Sequence, residues 1–178
     1  MTAAVQLNVV SSRERVGCKG PAAESWLVSR GITVPGGANR YSIDPAGVLS
    51  ARLATSEFLL ESIDTTASSA VGDLRTSLER AEYPRGVYPV LRQDFVLEVS
   101  GPQAQALFLQ TCAVNLQPLE RESTATSGPL VMTSMIGVSV VLTCRLLPAG
   151  PRFTLWSDPS YSVYFQSQLH ALAGGIQS

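Results

Sequence analysis

An eight-residue pattern occurs twice in this chain. Gly20-Pro21-Ala22-Ala23-Glu24-Ser25-Trp26-Leu27 is echoed 81 residues later by Gly101-Pro102-Gln103-Ala104-Gln105-Ala106-Leu107-Phe108. In each copy Gly permits the turn, and Pro at the first helical position sets φ while giving up an amide that has no helical partner there. A helix should therefore follow each Gly-Pro. Ala23, Trp26 and Leu27 in the first copy, and Ala104, Leu107, Phe108 and Cys112 in the second, share helical spacing and predict one buried face on each helix.

The neighbourhoods of the two copies also agree. A candidate strand precedes each helix, weak at Arg15 to Cys18 and clear at Phe95 to Val99, where Phe95, Leu97 and Val99 alternate with Val96 and Glu98. Further on, Glu57-Phe58-Leu59-Leu60 corresponds to Arg152-Phe153-Thr154-Leu155 at an offset of 95, so the second copy is 14 residues longer. A loop insertion within the polar stretch Glu120 to Gly128 would accommodate that difference. A second helix closes each half. In the first half Val71, Leu74, Leu78 and Ala81 step along one face behind cap-like residues at Asp64 to Thr66. In the second, Asp158-Pro159 starts a helix with Tyr161, Phe165, Leu169 and Leu172 on one stripe. The order strand, helix, two strands, helix, written twice, predicts an α+β fold. It consists of two pseudo-repeated ferredoxin-like halves, residues 1–86 and 87–178, forming one folding unit of antiparallel sheets with helices packed on them.

Composition narrows what such a fold can do. A chain of 178 residues can bury roughly 70% of its unfolded surface without staples. Only 15% of its residues are charged, against roughly 25% in ordinary domains. Its formal net charge is -1, from 13 basic and 14 acidic residues. That leaves no field for nucleic acid. The uncharged stretch between Glu122 and Arg145 has an apolar core, Leu130 to Cys144, too short to cross a bilayer as a helix. Its alternation, with Ile136, Val138, Val140 and Leu142 on one face, reads as a buried strand pair. The start of the chain lacks the pattern of a secretory signal, so a cytoplasmic location is expected. Cys18, Cys112 and Cys144 match neither a disulfide framework nor a zinc spacing and read as reduced core thiols.

The residue types that carry chemistry are sparse. The single histidine, His170, lies beside Leu169 on an apolar helix and reads as an edge residue, with no Ser or Cys in a nucleophile motif to serve. Neither a Walker loop nor a G-x-G-x-x-G motif is present, and no ligand set is spaced for a metal. Asp44, before Pro45, and Asp94, at the entry to a strand, read first as turn and strand-edge carboxylates. The basic residues Arg13, Arg15, Lys19, Arg40 and Arg52 concentrate in the first third of the chain. Guanidinium groups suit carboxylates across an interface, so these five are the candidate partner-interface residues, with a solvated basic face as the alternative. No catalytic, cofactor-binding or metal-binding residue is assigned.

Several of these segments carry a resemblance. Arg15-Val16-Gly17-Cys18-Lys19-Gly20-Pro21 leading to Trp26-Leu27, Ala51-Arg52-Leu53 with Glu57-Phe58-Leu59-Leu60, Val87-Tyr88-Pro89-Val90-Leu91-Arg92-Gln93-Asp94, the strand and turn from Leu97 to Pro102, and Tyr161-x-x-Tyr164 together resemble the gamma subunit of heterotetrameric sarcosine oxidase. The likeness spans about Arg13 to Leu172 through short motifs, and Tyr41 stands where the family is expected to have Trp. The resemblance implies a place in a four-subunit flavoenzyme that demethylates sarcosine oxidatively, forms hydrogen peroxide and passes the one-carbon unit to tetrahydrofolate. FAD, FMN, NAD and zinc would sit in the alpha, beta and delta subunits. It also implies a fold like the folate-binding domain of aminomethyltransferases, and a structural rather than catalytic part for this chain. Two alternatives stand beside it: a free-standing folate-binding domain, with Asp94 or Glu98 holding the pterin ring, or the same subunit in a complex that oxidises another N-methylated amine. Low charge fits a chain covered by partners.

Overall fold

Both Gly-Pro dipeptides make the same turn. Gly20 has φ +120 and Gly101 has φ +106. The amides of Ala23 and Ala104 donate back to the carbonyls of Gly20 and Gly101 at 3.0 and 3.1 Å. Each Pro thus occupies the second position of a four-residue turn, where its fixed φ belongs. The helices begin two residues later, at α1 (Ala23–Ser29) and α3 (Ala104–Thr111). The expected Pro at the first helical position is therefore replaced by Pro in the preceding turn. Glycine is also required by space at the first site, because a Cβ on Gly20 would run into the carbonyl oxygen of Gly86.

The computed structural model describes residues 4–63 and 68–176. The expected cap at Asp64 to Thr66 lies outside the described residues. The chain forms two units, residues 12–93 and residues 1–11 with 94–178. In the unit 12–93 the strands are β2 (Arg15–Lys19), β3 (Arg40–Ile43), β4 (Val48–Ala54), β5 (Glu57–Ser62) and β6 (Tyr88–Val90), with α1 after β2 and α2 (Ser68–Glu79) after β5. They pair in the order β3-β4-β5-β2-β6, antiparallel throughout. The other unit contains β1 (Gln6–Val9), β7 (Phe95–Ser100), β8 (Ser127–Met135), β9 (Val138–Leu147) and β10 (Gly150–Ser157), with α3 and α4 (Gln117–Arg121) after β7 and α5 (Ser162–Ile176) after a 3-10 turn at Pro159–Tyr161. Its order is β1-β7-β10-β9-β8, again antiparallel. The architecture is α+β.

After β2 and β7 the units have a helical segment, one helix in the unit 12–93 and two in the other, then three strands and a closing helix, one strand more than the order strand, helix, two strands, helix. The strand pair expected at Leu130 to Cys144 is the hairpin β8–β9, whose turn consists of Ile136 and Gly137, both at positive φ. Ile136 therefore sits in the turn and not on the strand face. The division of the chain differs from a cut between residues 86 and 87 for a physical reason. β1 pairs with β7, Gln6 opposite Ser100 through Val9 opposite Leu97, although β2 follows β1 in sequence. β6 in turn pairs with β2, Gly17 opposite Val90. The segment preceding each Gly-Pro strand thus supplies an edge strand to the other stretch of sequence. The extra length expected as a loop at Glu120 to Gly128 includes the end of α4, and β8 begins at Ser127.

The helices cover one face of each sheet. In the unit 12–93, Val16, Cys18, Phe58 and Leu60 from the strands meet Ala23, Trp26 and Leu27 from α1 and Val71, Leu74 and Leu78 from α2. Ala81 lies past the end of α2, exposed and at φ 55, not on the buried stripe. In the other unit, Phe95, Leu97, Val99, Val138, Val140, Leu142 and Phe153 pack against Leu107 and Phe108 of α3 and Phe165 and Leu169 of α5. The Phe108 and Phe153 rings meet edge to face at 4.7 Å, a favoured aromatic arrangement. Tyr161 falls in the 3-10 turn and is half exposed, outside that stripe.

Candidate functional site

The five basic candidates separate into two kinds. Arg15 and Glu61 are direct cross-strand neighbours on β2 and β5. Both are buried, and the Arg15 Nε donates to Glu61 Oε2 at 2.9 Å. Arg13 adds a second guanidinium to the same carboxylate, 3.6 Å from Glu61 Oε1. Strand alternation places Arg15 and Glu61 on the face opposite Val16 and Leu60, away from the helices. Arg52 lies on the helix-covered face. Its guanidinium grips both oxygens of Glu24 on α1, at 2.8 and 3.1 Å, donates to the carbonyls of Pro35 and Thr55, and lies 5.3 Å from the centre of the Phe58 ring. This forked geometry ties α1 to the sheet. Lys19 and Arg40 are exposed. Of the five, they are the two whose charges face solvent.

The Glu residues that complete these pairs carried little signal in the sequence. Glu61 lies in Phe58-Leu59-Leu60-Glu61, where strand alternation sets it on the same face as Leu59. A carboxylate inside so apolar a strand was the available hint of a buried ion pair. The other acidic candidates also find places. Asp44 accepts from the Val48 amide at 2.9 Å across its turn, the capping role expected of it. Glu98 is buried on β7, 3.8 Å from Arg152. His170 is exposed on α5.

Two grooves accompany these residues. In the unit 12–93, a groove of about 450 Å³ runs between α2 and the segment Pro89 to Gln93, lined by Arg15, Arg75 and Arg92 over Val16, Leu78 and Val90. Arg92 crosses β2 at Gly17, where a Cβ would meet its Nε at 2.9 Å, and it pairs with Glu57 at 2.8 Å. In the other unit a groove of about 440 Å³ lies at the end of β7 and β10, lined by Asp94, Trp156, Ser157 and Asp158 among others. The Ser160 hydroxyl and then its amide, at 2.6 and 2.8 Å, donate to Asp158 Oδ1 and hold that carboxyl below its ordinary range.

The cysteines are free thiols. Burial pushes Cys18 up to about 12, and burial with the added charge of Glu120 pushes Cys144 up to about 12. Neither forms a thiolate near neutral pH, which removes both as nucleophiles there. Cys112 is half-buried, its sulfur 3.8 Å from Thr133 Oγ1. Among the described residues, no three His, Cys, Asp or Glu side chains gather to hold a metal, and no helix is long and apolar enough to cross a membrane.

No family model and no curated protein matches the sequence. Solved structures do match. A chain of heterotetrameric sarcosine oxidase from Corynebacterium sp. U-96, in complex with pyrrole 2-carboxylate, superposes with a TM-score of 0.75 at 18% identity, over 100% of this chain and 88% of that one. The glycine cleavage system aminomethyltransferase T from Bartonella henselae superposes with a TM-score of 0.65 at 18% identity, over 94% of this chain and 45% of that one. The first is the protein type that the sequence motifs resemble and the second the type whose fold that resemblance implies, and the chain shares their fold.

Proposed function

We propose that this chain is the gamma subunit of a heterotetrameric complex of the sarcosine oxidase type and serves its assembly rather than its chemistry. The observation that carries the reading is the match in extent: the likeness takes in 100% of this chain and 88% of the oxidase chain, but only 45% of the aminomethyltransferase. The likeness thus takes in nearly all of the oxidase chain and less than half of the transferase. The two units are read here as ferredoxin-like halves. The complex would oxidise sarcosine, or another N-methylated amine, and transfer the one-carbon unit to tetrahydrofolate with formation of hydrogen peroxide. FAD, FMN, NAD and zinc would be held by the alpha, beta and delta partners in the cytoplasm.

The arginine geometry refines which residues would meet those partners. Arg13, Arg15 and Arg52 are committed to carboxylates of this chain, so Lys19 and Arg40 are the basic groups available to an acidic partner surface. Co-expression with flavin-bearing and zinc-bearing subunits tests the reading. Co-purification of this chain with flavin absorbance supports it, and a monomer that never joins those subunits defeats it. The runner-up, a free-standing folate-binding domain, draws on the placement of Asp94 in a groove, whereas Glu98 is buried and pairs with Arg152 at 3.8 Å. Saturable binding of tetrahydrofolate by the isolated chain, lost in Asp94→Asn, would favour it instead.

A further inference from the structure

β6 stops short of the end of its neighbour. β5 pairs with every residue of β2, whereas β6 reaches only Gly17, Cys18 and Lys19. Bonds at the ends of β2 show which residues turn to which side. The Gly20 amide donates to the Ser56 carbonyl, just before β5, and the Glu14 carbonyl accepts from the Ser62 amide at its far end, both at 2.9 Å. Even-numbered residues therefore direct their main-chain groups to β5, and alternation directs those of Lys19, Gly17 and Arg15 to the other side. Lys19 and Gly17 meet Tyr88 and Val90 of β6 there. Arg15 lies past the end of β6, and its carbonyl is taken by a side chain, the Arg75 guanidinium of α2, at 3.1 Å. The groove of about 450 Å³ lies in this gap, so residues of both sheet faces line it. Arg75 is held loosely. Its pair with Glu14 spans 3.5 Å between side chains that are 40% and 33% exposed, and such pairs contribute little. Of the four charged residues lining the groove, three are arginines, against Glu79. The outer edge of β6 is closed to a further strand by contrast. Tyr88 and Val90 face β2, so Pro89 faces outward with no amide to donate.

From this arrangement we infer that the gap beside Arg15 receives an extended, acidic segment of a partner protein, which adds to β2 in line with β6. The segment's amide opposite Arg15 takes over the carbonyl that Arg75 holds, as main-chain bonds do when a strand joins a sheet edge. The residue before it lies opposite Val16, shares that residue's face and packs on Leu78, so it is apolar. The residue after it lies opposite Glu14, on the face where α2 carries Arg75. A carboxylate there engages the released guanidinium in a charge-assisted bond. The segment thus reads apolar, any residue, acidic. The inference does not rest on the subunit reading, because any partner with such a segment satisfies it.

The test is titration of the full chain with the end-blocked peptide Ser-Thr-Val-Thr-Glu-Thr-Ser at low salt, followed by 1H–15N NMR. Saturable shifts are expected at the amides of Arg15 and Val16 and at the Arg75 Nε. N-methylation of the threonine between valine and glutamate removes the donor to the Arg15 carbonyl and should weaken binding at least tenfold. A peptide with lysine in place of glutamate should bind at least fivefold more weakly, and Arg75→Glu should reverse that order, a recovery that also shows the variant to be folded. The inference is overturned by an absence of saturable shifts, by the N-methylated or lysine peptide binding as well as the first, or by Arg75→Glu leaving the order of the two peptides unchanged. A dimer of the chain that shields Arg15 from the peptide also overturns it, because the occupant is then a second copy.

Discussion

Removal of the Glu61 charge is the sharpest test of how this chain uses its arginines. Glu61 is fully buried, Arg15 nearly so, and the Arg15 Nε is 2.9 Å from the carboxylate that Arg13 also faces at 3.6 Å. Glu61→Gln keeps an acceptor for Nε but leaves a buried guanidinium without a counter-charge. Breaking a buried pair in this way costs roughly 3–5 kcal/mol, and the retained acceptor places the change near the lower end, about 3 kcal/mol. At roughly 2–4 °C per kcal/mol for a chain of this length, the melting temperature should fall on the order of 6–12 °C. Urea is the proper denaturant, since guanidinium chloride would screen the pair under study. The double variant Arg15→Met with Glu61→Leu should recover most of the loss, because well-packed apolar replacements of buried pairs are often neutral or better. Arg40→Ala, at an exposed position, should stay within about 0.5 kcal/mol of the parent. A Glu61→Gln loss below about 1 kcal/mol, or a double variant as unstable as the single, would refute the buried-pair account.

Three further outcomes are expected. Ala81 ends α2 at φ 55, with the Glu82 amide on the Ser77 carbonyl and the Ala81 amide on Leu78. This is the glycine-favouring helix end, so Ala81→Gly should add about 1 kcal/mol in urea unfolding. In native protein at pH 7.5 a thiol reagent should label Cys112 alone, since Cys18 and Cys144 hold their protons up to about 12; Cys112→Ser should abolish native labelling, read by mass spectrometry. Ser160→Ala removes the donors' hydroxyl member at Asp158 and should raise that carboxyl toward its ordinary value in an NMR titration. Because the folded state lowers this group, its contribution to stability is present above the ordinary carboxyl range and lost as pH falls through the folded value.

Local chemistry accounts for what could be read from the residues. Gly20-Pro21 and Gly101-Pro102 announce turn and helix, since a positive φ and a fixed φ are properties of those residues themselves. The buried faces of β7, β9 and α5 follow from period-two and period-3.6 spacing. The structure departs from the local pattern where one residue has two local meanings. Pro21 suited both a helix start and a turn, and the hydrogen bond from Ala23 to Gly20 selected the turn. Ile136 continued the alternation of β9, but the hairpin drew it into a turn at positive φ.

The basic cluster was legible as a concentration of charge and illegible as a set of pairs. Glu61 and Arg15 are 46 residues apart, and Glu24 and Arg52 are 28 apart. No local rule links such positions. The groove that joins Ser157 and Asp158 to Asp94 has the same origin, because strand register brings the ends of β7 and β10 together. Residues close in sequence set the repeated turn, the helices that follow it and the alternating strands of an α+β chain. Tertiary structure alone decided the exchange of edge strands β1 and β6, the partners of each arginine and the acidic groove. Turn geometry and periodicity depend on neighbours along the chain, whereas sheet register and ion pairing depend on which distant segments meet.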